Sequence, residues 1–338
     1  MYMSFLLREA EDRLKESELV KLSKLINWES LRDVMGKLGR SGYGQTSYDS
    51  VQMLKAIVLQ AWHNLSDPGL EEALKVRIDF MYITGLDEVP DETTICRFRN
   101  LLVQQGLFEK LLKSVNKQLE DIGLKVKESQ GAIVDATIIS SSRRARKEYE
   151  TIAVDRKEDD VQCYEAINMT DSKDPDSRWL KKGNKSYFGY KGFMATDIED
   201  GYINHIHVTP ANISEVNELP KMLSGIGKVK RIYTDKGYAS ENNRSILKEA
   251  KIRNGIMEKA SRNKALRESQ KKFNKLISRV RYKIEEGFGT LKRRFNLARA
   301  SYITASKVAG QITLKAIAFN LLKALNKLIK ISQYHYSV

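Results

Sequence analysis

Three acidic residues stand in segments that otherwise have the pattern of regular, partly buried structure. Asp135 interrupts the short apolar run at residues 131–139, and Asp235 directly follows a second run at residues 230–234. Glu285 lies in a stretch with helical periodicity near the C-terminus. An ionised carboxylate in a buried strand is costly unless its charge is compensated, so a cation beside these acids is one explanation. For Asp135 the other explanation is a residue at a strand end whose carboxylate bonds to a neighbouring loop.

The stretch around Glu285 predicts an amphipathic helix with a charged stripe. Its apolar residues recur at steps of three and four, and they are Val280, Ile284, Phe288, Leu291 and Phe295. Arg281, Glu285 and Lys292 form a second stripe beside them, because steps of four and seven return to one side of a helix. A carboxylate held among cations at the border of the core suits metal binding beside an anionic substrate. The alternative is a basic surface helix with ordinary ion pairs between residues four apart.

The charge of the chain favours a polyanionic partner. The 338 residues carry a formal net charge of +15, and residues 251–300 alone hold 16 Lys and Arg against 4 acids. Such a local excess is typical of nucleic-acid binding. A solvated basic face, or weak attraction to an anionic membrane, would give the same composition.

The sequence indicates neither a thiol-based metal site nor a membrane anchor. Cys96 and Cys163 are too isolated for a disulfide framework or a zinc site, and the four histidines show no ligand spacing with them. The N-terminus lacks the apolar segment of a signal peptide, and no uncharged run reaches the roughly 18 residues of a membrane helix. We therefore expect a cytoplasmic protein, associated with the nucleoid if its partner is DNA.

Residues 1–127 are predicted to form an all-α N-terminal domain. Asp91 is placed to cap a helix at residues 92–102, which carries Arg97 and Arg99 after a short turn. This layout resembles a helix-turn-helix, so both arginines are candidate DNA contacts, although many small helical bundles look the same. The other helices are predicted at residues 48–64, 70–80 and 108–122.

Residues 128–305 have the element order of an α/β RNase H-like catalytic domain, a mixed sheet flanked by helices. The strand with Asp135 precedes a hairpin, a helix, the strand that ends at Asp235, another helix and the helix of Glu285. In such a sheet the first and fourth strands are neighbours, so the two aspartates meet and the helix brings the glutamate. Three carboxylates would repel one another without cations. Two Mg²⁺ ions, or Mn²⁺ as a substitute, would relieve this and would serve phosphodiester chemistry about 3.5–4 Å apart.

The remaining segments are predicted to be peripheral. Residues 140–186 are polar without a sustained period, which favours a long mobile excursion. It closes in a basic loop with Lys182, suited to lie along phosphates. Residues 306–338 are predicted to be a C-terminal helix that packs back on the body.

Several short motifs, taken together in their order and spacing, resemble the insertion-sequence-five family of transposases. In the N-terminal part they are residues 48–55 (YDSVQMLK), 65–67 (LSD), 89–94 (VPDETT) and 97–99 (RFR). In the core they are residues 134–137 (VDAT), 182–183 (KG), 187–191 (YFGYK), 209–212 (TPAN) and 234–238 (TDKGY). Arg281, Glu285 and Lys292, separated by three and six residues, match the Arg, Glu and Lys of that family's signature.

The resemblance implies a DDE transposase that cleaves transposon ends and joins their 3′-hydroxyls to target DNA. Asp135, Asp235 and Glu285 would be the catalytic residues and metal ligands. The DNA contacts would come from Arg281, Lys292, Lys236, Arg97, Arg99 and Lys182. The partners would be double-stranded DNA, at the terminal inverted repeats and the target, and a second copy of the chain in a homo-oligomer such as a dimer.

The sequence departs from that family at two positions, which leaves other functions open. Ser278 stands where the signature has Tyr, and Glu286 stands where relatives often have His, which would add a negative charge near the metals. One alternative is therefore a catalytically silent DNA-binding regulator derived from a transposase. Another is a cellular nuclease of the same fold without strand transfer.

Overall fold

The N-terminal segment forms helices, and capping side chains mark the first residue of three of them. The computed structural model describes residues 9, 12–36, 38, 48–154, 163–261 and 264–335. Asp49 accepts hydrogen bonds from Val51 N and Gln52 N, Ser66 accepts one from Gly69 N, and Asp91 accepts one from Thr94 N. The helices are α1 (Glu18–Ser23), α2 (Ser30–Met35), α3 (Ser50–His63), α4 (Asp67–Val76), α5 (Ile78–Thr84), α6 (Glu92–Gln104) and α7 (Leu107–Asp121).

One N-terminal helix differs from the sequence-based expectation. The helix expected at residues 70–80 is divided at Arg77, whose extended backbone (φ −94°, ψ 116°) ends α4 and begins α5. The Arg77 guanidinium binds Asp79 at both carboxylate oxygens, with the shorter contact at 2.6 Å. Asp79 also accepts a hydrogen bond from Phe80 N, so a local side-chain network replaces the helical bond at the break.

The strands of the central sheet are β1 (Ala132–Ser140), β4 (Arg178–Lys182), β5 (Lys185–Asp197), β6 (Ile203–Pro210), β7 (Arg231–Thr234) and β8 (Arg253–Ile256). Their order in the sheet is β6-β5-β1-β7-β8, and β4 pairs with the first half of β5. The pairs of β5 with β1, β4 and β6 are antiparallel, whereas β7 is parallel to both β1 and β8. This mixed sheet with flanking helices agrees with the expected RNase H-like fold.

Helices cover both faces of the sheet. The short helices α8 (Leu219–Ile226) and α9 (Glu241–Glu249) cover one face, where Val134 and Ile232 are buried. The long helices α10 (Glu268–Arg293) and α11 (Ala305–His335) lie on the face of Ile133. Because side chains alternate along a strand, Asp135 belongs to the same face as Ile133.

Residues 140–186 are not one irregular excursion, which corrects the sequence-based expectation. They contain β2 (Arg146–Val154) and β3 (Cys163–Asp171), which form a two-stranded sheet, and then β4. Asp174, which is 1% exposed, anchors the end of the segment. Its carboxylate accepts hydrogen bonds from the hydroxyls of Ser141, Ser177 and Tyr190. The prediction failed for a physical reason. Strands β2 and β3 form a sheet separate from the central one, so packing on the main core does not impose a hydrophobic periodicity on their sequence.

Helix α11 joins the N-terminal helices to the sheet. It packs against α3, α7 and β6, and one continuous hydrophobic cluster runs from the N-terminal helices through α11 to β1 and β5. By length and composition α11 is the one helix within the described residues that is apolar enough to cross a membrane. Its apolar window is 89% buried inside the protein, as in a core helix.

Hydrogen bonds of Asn320 fix α11 where it meets α7 and β6. Asn320 is fully buried, accepts a hydrogen bond from Ile203 N at 2.9 Å and donates to Ile203 O at 2.8 Å. It also donates to Asn116 Oδ1 on α7 at 2.8 Å. These bonds satisfy the first backbone amide of β6, which an apolar residue at position 320 would leave buried and unpaired.

We therefore expect Asn320→Leu to lower the free energy of unfolding by about 3 kcal/mol, because each orphaned buried polar group costs about 1–3 kcal/mol. Denaturant titration followed by circular dichroism measures this change. Asn326→Leu, at an exposed position on the same helix, is the control and should change stability by less than about 0.5 kcal/mol. Equal effects of the two substitutions would contradict the account of α11.

Candidate functional site

Asp135, inside β1, and Asp235, just after β7, lie where the parallel pairing of these two strands ends. Ile133 pairs with Tyr233, so continuing the parallel register by two residues brings Asp135 opposite Asp235. Asp235 directly follows β7 and caps a 3₁₀ turn, Lys236–Tyr238, by accepting a hydrogen bond from Gly237 N at 2.7 Å. The sequence-based expectation that these two acids meet at the sheet is in accord with this geometry.

Asp135 is a buried carboxylate bonded to a guanidinium. Its Oδ2 accepts a hydrogen bond from Arg281 Nη2 at 2.5 Å, and its Oδ1 accepts one from Ala136 N at 2.8 Å. Burial raises the pKa of Asp135 to about 6 against the opposing effect of Arg281, and the nearby charge of Asp235 raises it further. The carboxylate thus lies where a positive charge is required, and Arg281 supplies one.

Glu285 is linked to Asp135 through Arg281. The Arg281 guanidinium lies 3.7 Å from Glu285 Oε1, one turn along α10, and the Glu285 side chain is 61% exposed. Within the part of the chain that the structure describes, no three acidic, histidine or cysteine side chains are close enough together to hold a metal ion. Glu285 is therefore on the neighbouring helix, as expected, but it does not converge on the aspartates, because Arg281 lies between it and Asp135.

The donor set nevertheless fits a divalent cation. Carboxylate oxygens are the ligands that Mg²⁺ and Mn²⁺ prefer, and here two of them are forced together by strand register. Two buried polar atoms beside them, the Tyr238 hydroxyl and Arg281 Nε, have no hydrogen-bond partner among the described residues. Each such atom costs about 1–3 kcal/mol unless a further polar group satisfies it. Hydrated ions and phosphate oxygens are groups that satisfy such atoms.

Lys182 and Lys292 come together although they are 110 positions apart in the chain. Lys182 ends β4 at the turn into β5, and Lys292 lies in the last turn of α10. The pKa of Lys292 is lowered, first because the protein restricts solvation of its ammonium group and second by the charge of Lys182. Both side chains are exposed, so two like charges face solvent, one on β4 and one on the helix that carries Arg281 and Glu285.

The other predicted DNA contacts differ in exposure. Lys236 is exposed directly beside Asp235, and Arg97 is exposed on α6. Arg99 is only 4% exposed and binds Asp67 through two contacts of 2.6 and 2.7 Å. Its guanidinium also stacks over the ring of Tyr302, 4.1 Å from the ring centroid. The prediction that Arg99 contacts DNA is therefore wrong, because its charge is used to join α4, α6 and the segment before α11.

Glu286 does not face the acids. It lines a cleft with Lys283 and Lys323 on the opposite flank of α10, next to Gly287, which packs near Phe319 of α11. Its charge raises the pKa of Lys323 against the larger lowering effect of burial. The expectation that Glu286 adds negative charge near the metals is therefore not supported by its position.

Two residues at this site were not singled out from the sequence. Tyr238 is the last residue of the 234–238 motif, so its position three residues after Asp235 was the available signal. Glu215 opens a 3₁₀ turn, Glu215–Asn217, before α8 and lies close to Asp235. Nothing in the local pattern distinguishes it from the other acids of that segment.

Comparisons with known proteins match transposase families over most of the chain. The family described as "Transposase DDE domain" matches residues 127–321, and the family described as "Transposase domain (DUF772)" matches residues 8–101. The transposase for insertion sequence element IS1106 of Neisseria meningitidis serogroup B is 45% identical over 232 residues, which are 69% of this chain and 78% of that relative.

Similarity to solved structures is weaker. A piggyBac transposase synaptic complex with hairpin DNA is 11% identical with a TM-score of 0.40, over 93% of this chain and 74% of that one. The Mos1 mariner paired end complex with Mn is 11% identical with a TM-score of 0.20, over 82% and 87%. Similarity this low does not bear on the geometry of the site.

The contrast between Arg97 and Arg99 gives a direct test of their roles. Arg99→Met should lower the free energy of unfolding by about 3–5 kcal/mol, because it leaves the carboxylate of Asp67 buried without its partner. Arg97→Met should change it by less than about 0.5 kcal/mol, as expected of an exposed residue. Denaturant titration of both variants measures the difference, and equal stabilities would contradict the structural role of Arg99.

Proposed function

Because this chain belongs to the DDE transposases of insertion sequences, we propose that it cleaves DNA at the ends of its element and joins the freed 3′-hydroxyls to target DNA. The observation that carries the proposal is the pairing of Asp135 with Asp235 beside a helix that presents Arg281, Glu285 and Lys292. Cleavage is attack of water on a phosphodiester, which breaks the P–O bond to the 3′-oxygen and frees a 3′-hydroxyl. Joining is a transesterification, in which that hydroxyl attacks a target phosphodiester and the 3′-oxygen of the target strand leaves.

The acids Asp135, Asp235 and Glu285 hold the divalent cations in this proposal, two Mg²⁺ ions with Mn²⁺ as a substitute. When bound, such ions supply charge stabilisation to the attacking and leaving oxygens of an in-line displacement. Asp135 and Asp235 are fixed in position by strand register, whereas Glu285 is exposed on α10 and has freedom to reorient. The chain therefore provides two rigid ligands and one adjustable ligand.

Arg281 has two functions in this proposal. Without cations, its guanidinium neutralises Asp135 and separates it from Glu285, which limits the repulsion between the acids. With DNA bound, its unpaired Nε–H can donate to a phosphate oxygen of the reacting strand, where a planar guanidinium binds well. The same arginine thus stabilises the acids before the reaction and orients the substrate during it.

DNA follows a track from Lys236 past Glu285 to the pair Lys182 and Lys292. Two exposed lysines that repel each other gain stability when a phosphate lies between them, so their proximity favours a bound polyanion. Arg97 extends the contacts into residues 1–127, the proposed domain for terminal inverted repeats. Residues 128–305 are the proposed catalytic domain, and residues 306–338 form the helix that packs on the body.

The working unit is proposed to be a homo-oligomer, in the simplest case a dimer, on double-stranded DNA. Each transposon end would require an acid site, and the proposed set is Asp135, Asp235 and Glu285 of one chain. Binding to chromosomal DNA would place the protein on the nucleoid.

We expect Asp135→Asn, Asp235→Asn and Glu285→Gln each to abolish Mg²⁺-dependent cleavage of a DNA fragment carrying the element's ends, because each removes a charged ligand. Electrophoretic mobility shift in EDTA should show that DNA binding is largely retained. Glu286→Gln is the matched control one residue along α10, and it should cleave like the wild type. Normal cleavage by any of the three variants would remove that residue from the site.

The lysine pair gives a second test, based on salt dependence. Lys182→Ala and Lys292→Ala should each reduce the slope of log K against log[salt] by about 0.9, one phosphate contact, and the double variant by about twice that. Lys228→Ala, at an exposed lysine outside the proposed track, should leave the slope unchanged. A double variant with the wild-type slope would exclude this pair from the DNA track.

A further inference from the structure

A fourth carboxylate, that of Glu215, stands beside the pair of aspartates. Asp235 Oδ1 lies 2.9 Å from the point that a Cβ on residue 237 would occupy, and Glu215 Oε2 lies closer still to that point. The distance between Asp235 Oδ1 and Glu215 Oε2 is therefore less than twice 2.9 Å. Gly237 makes this approach possible, because any side chain there would collide with both acids.

Glu215 is fixed by a buried lysine on the opposite side of its carboxylate. Lys191 on β5 is 6% exposed, and its Nζ lies 3.5 Å from Glu215 Oε1. The same ammonium group donates a hydrogen bond to Ile213 O at 2.8 Å, which ties it to the segment that precedes Glu215. With Oε1 facing Lys191, Oε2 is the oxygen left to face Asp235.

The buried hydroxyl of Tyr238 gives a second, independent observation. Tyr238 is fully buried, and its hydroxyl has no hydrogen-bond partner within the described part of the chain. Burial raises its pKa well above the ordinary value, and the charges of Asp135, Glu215 and Asp235 raise it further, against Arg281. The hydroxyl therefore lies among these acids with a hydrogen-bonding capacity that no described protein group uses.

The charges of the cluster do not balance. Arg281 pairs with Asp135 and Glu285, and Lys191 pairs with Glu215. With Asp235 beside Glu215, the cluster holds four carboxylates and these two cations. The formal deficit is two positive charges, which equals the charge of one divalent ion. The oxygens of Asp235 and Glu215 form the pair suited to bind such an ion directly, whereas the other acids would act through its waters.

We propose that Glu215 is an additional cation-binding residue of this site, beside Asp135 and Asp235, and that the Tyr238 hydroxyl hydrogen-bonds a water of the bound ion. This inference rests on the proposed function, which places the cations at the two aspartates. Glu215 approaches Asp235 from the turn before α8, whereas Glu285 lies on α10. Lys191 is a positioning residue that sets the orientation of the Glu215 carboxylate.

The test is Mn²⁺ binding to the full chain without DNA, measured by the electron paramagnetic resonance signal of free Mn²⁺. Glu215→Gln should raise the Kd for Mn²⁺ about tenfold or more, as loss of a ligand or its close support typically does. Glu215→Asp should recover part of the affinity, because it restores the charge. Glu241→Gln, at an exposed position in the first turn of α9, is the matched control and should bind Mn²⁺ like the wild type.

Tyr238→Phe tests the second observation separately from folding. It should weaken Mn²⁺ binding several-fold, and the melting temperature in EDTA should be unchanged or higher, because the lost hydroxyl has no protein partner. If Glu215→Gln lowers the melting temperature in EDTA, the Mn²⁺ affinity of Tyr238→Phe decides whether the proposal holds. Unchanged Mn²⁺ affinity in that variant would then overturn the proposal.

The outcomes separate this inference from the proposed function. Wild-type Mn²⁺ affinity in folded Glu215→Gln, with weakened binding in Asp135→Asn, would overturn the role of Glu215 and keep the aspartate site. Wild-type affinity in Asp135→Asn would instead contradict the proposed function itself. Loss of affinity in both, with normal binding by Glu241→Gln, is the result that we expect.

Discussion

The site depends on one constraint, the parallel register of β1 and β7 that places Asp135 beside Asp235. Register is not adjustable residue by residue, because a shift by one would turn every side chain of a strand to the other face. Two like charges are therefore held together by the same backbone bonds that form the sheet. Arg281 from α10 bonds Asp135 and offsets this repulsion.

Helix α10 packs on the core with one face and carries residues of the site on the neighbouring face. Ile284, Phe288 and Leu291 are buried on one stripe, so the neighbouring stripe with Arg281, Glu285 and Lys292 is oriented towards the strand ends. Helix α11 supports α10 and carries the N-terminal helices on the same hydrophobic cluster. An error in the packing of α11 would therefore displace both the acid site and the surface of α6 that carries Arg97.

The sequence predicts those features that local pattern determines. Capping by Asp91, the apolar face of α10 and the strand runs around Asp135 follow from side-chain type and spacing within about ten residues. The role of Arg99 could not be found in this way, because its partners Asp67 and Tyr302 are far apart in the chain and only packing brings them together. Glu215 is similar: its proximity to Asp235 depends on Gly237 and on the path of the loop after β6. Lys182 and Lys292 were each predicted singly, whereas their pairing is a property of the fold.

The central claim is that the space between Asp135, Asp235 and α10 is a cation site in which Arg281 substitutes for the ion when none is bound. Anomalous diffraction from crystals soaked in Mn²⁺ tests this most directly. The account predicts an anomalous peak within about 2.0–2.6 Å of carboxylate oxygens of both aspartates, with the Arg281–Asp135 bond broken. An intact Arg281–Asp135 bond, with Mn²⁺ peaks only elsewhere on the protein, would contradict it.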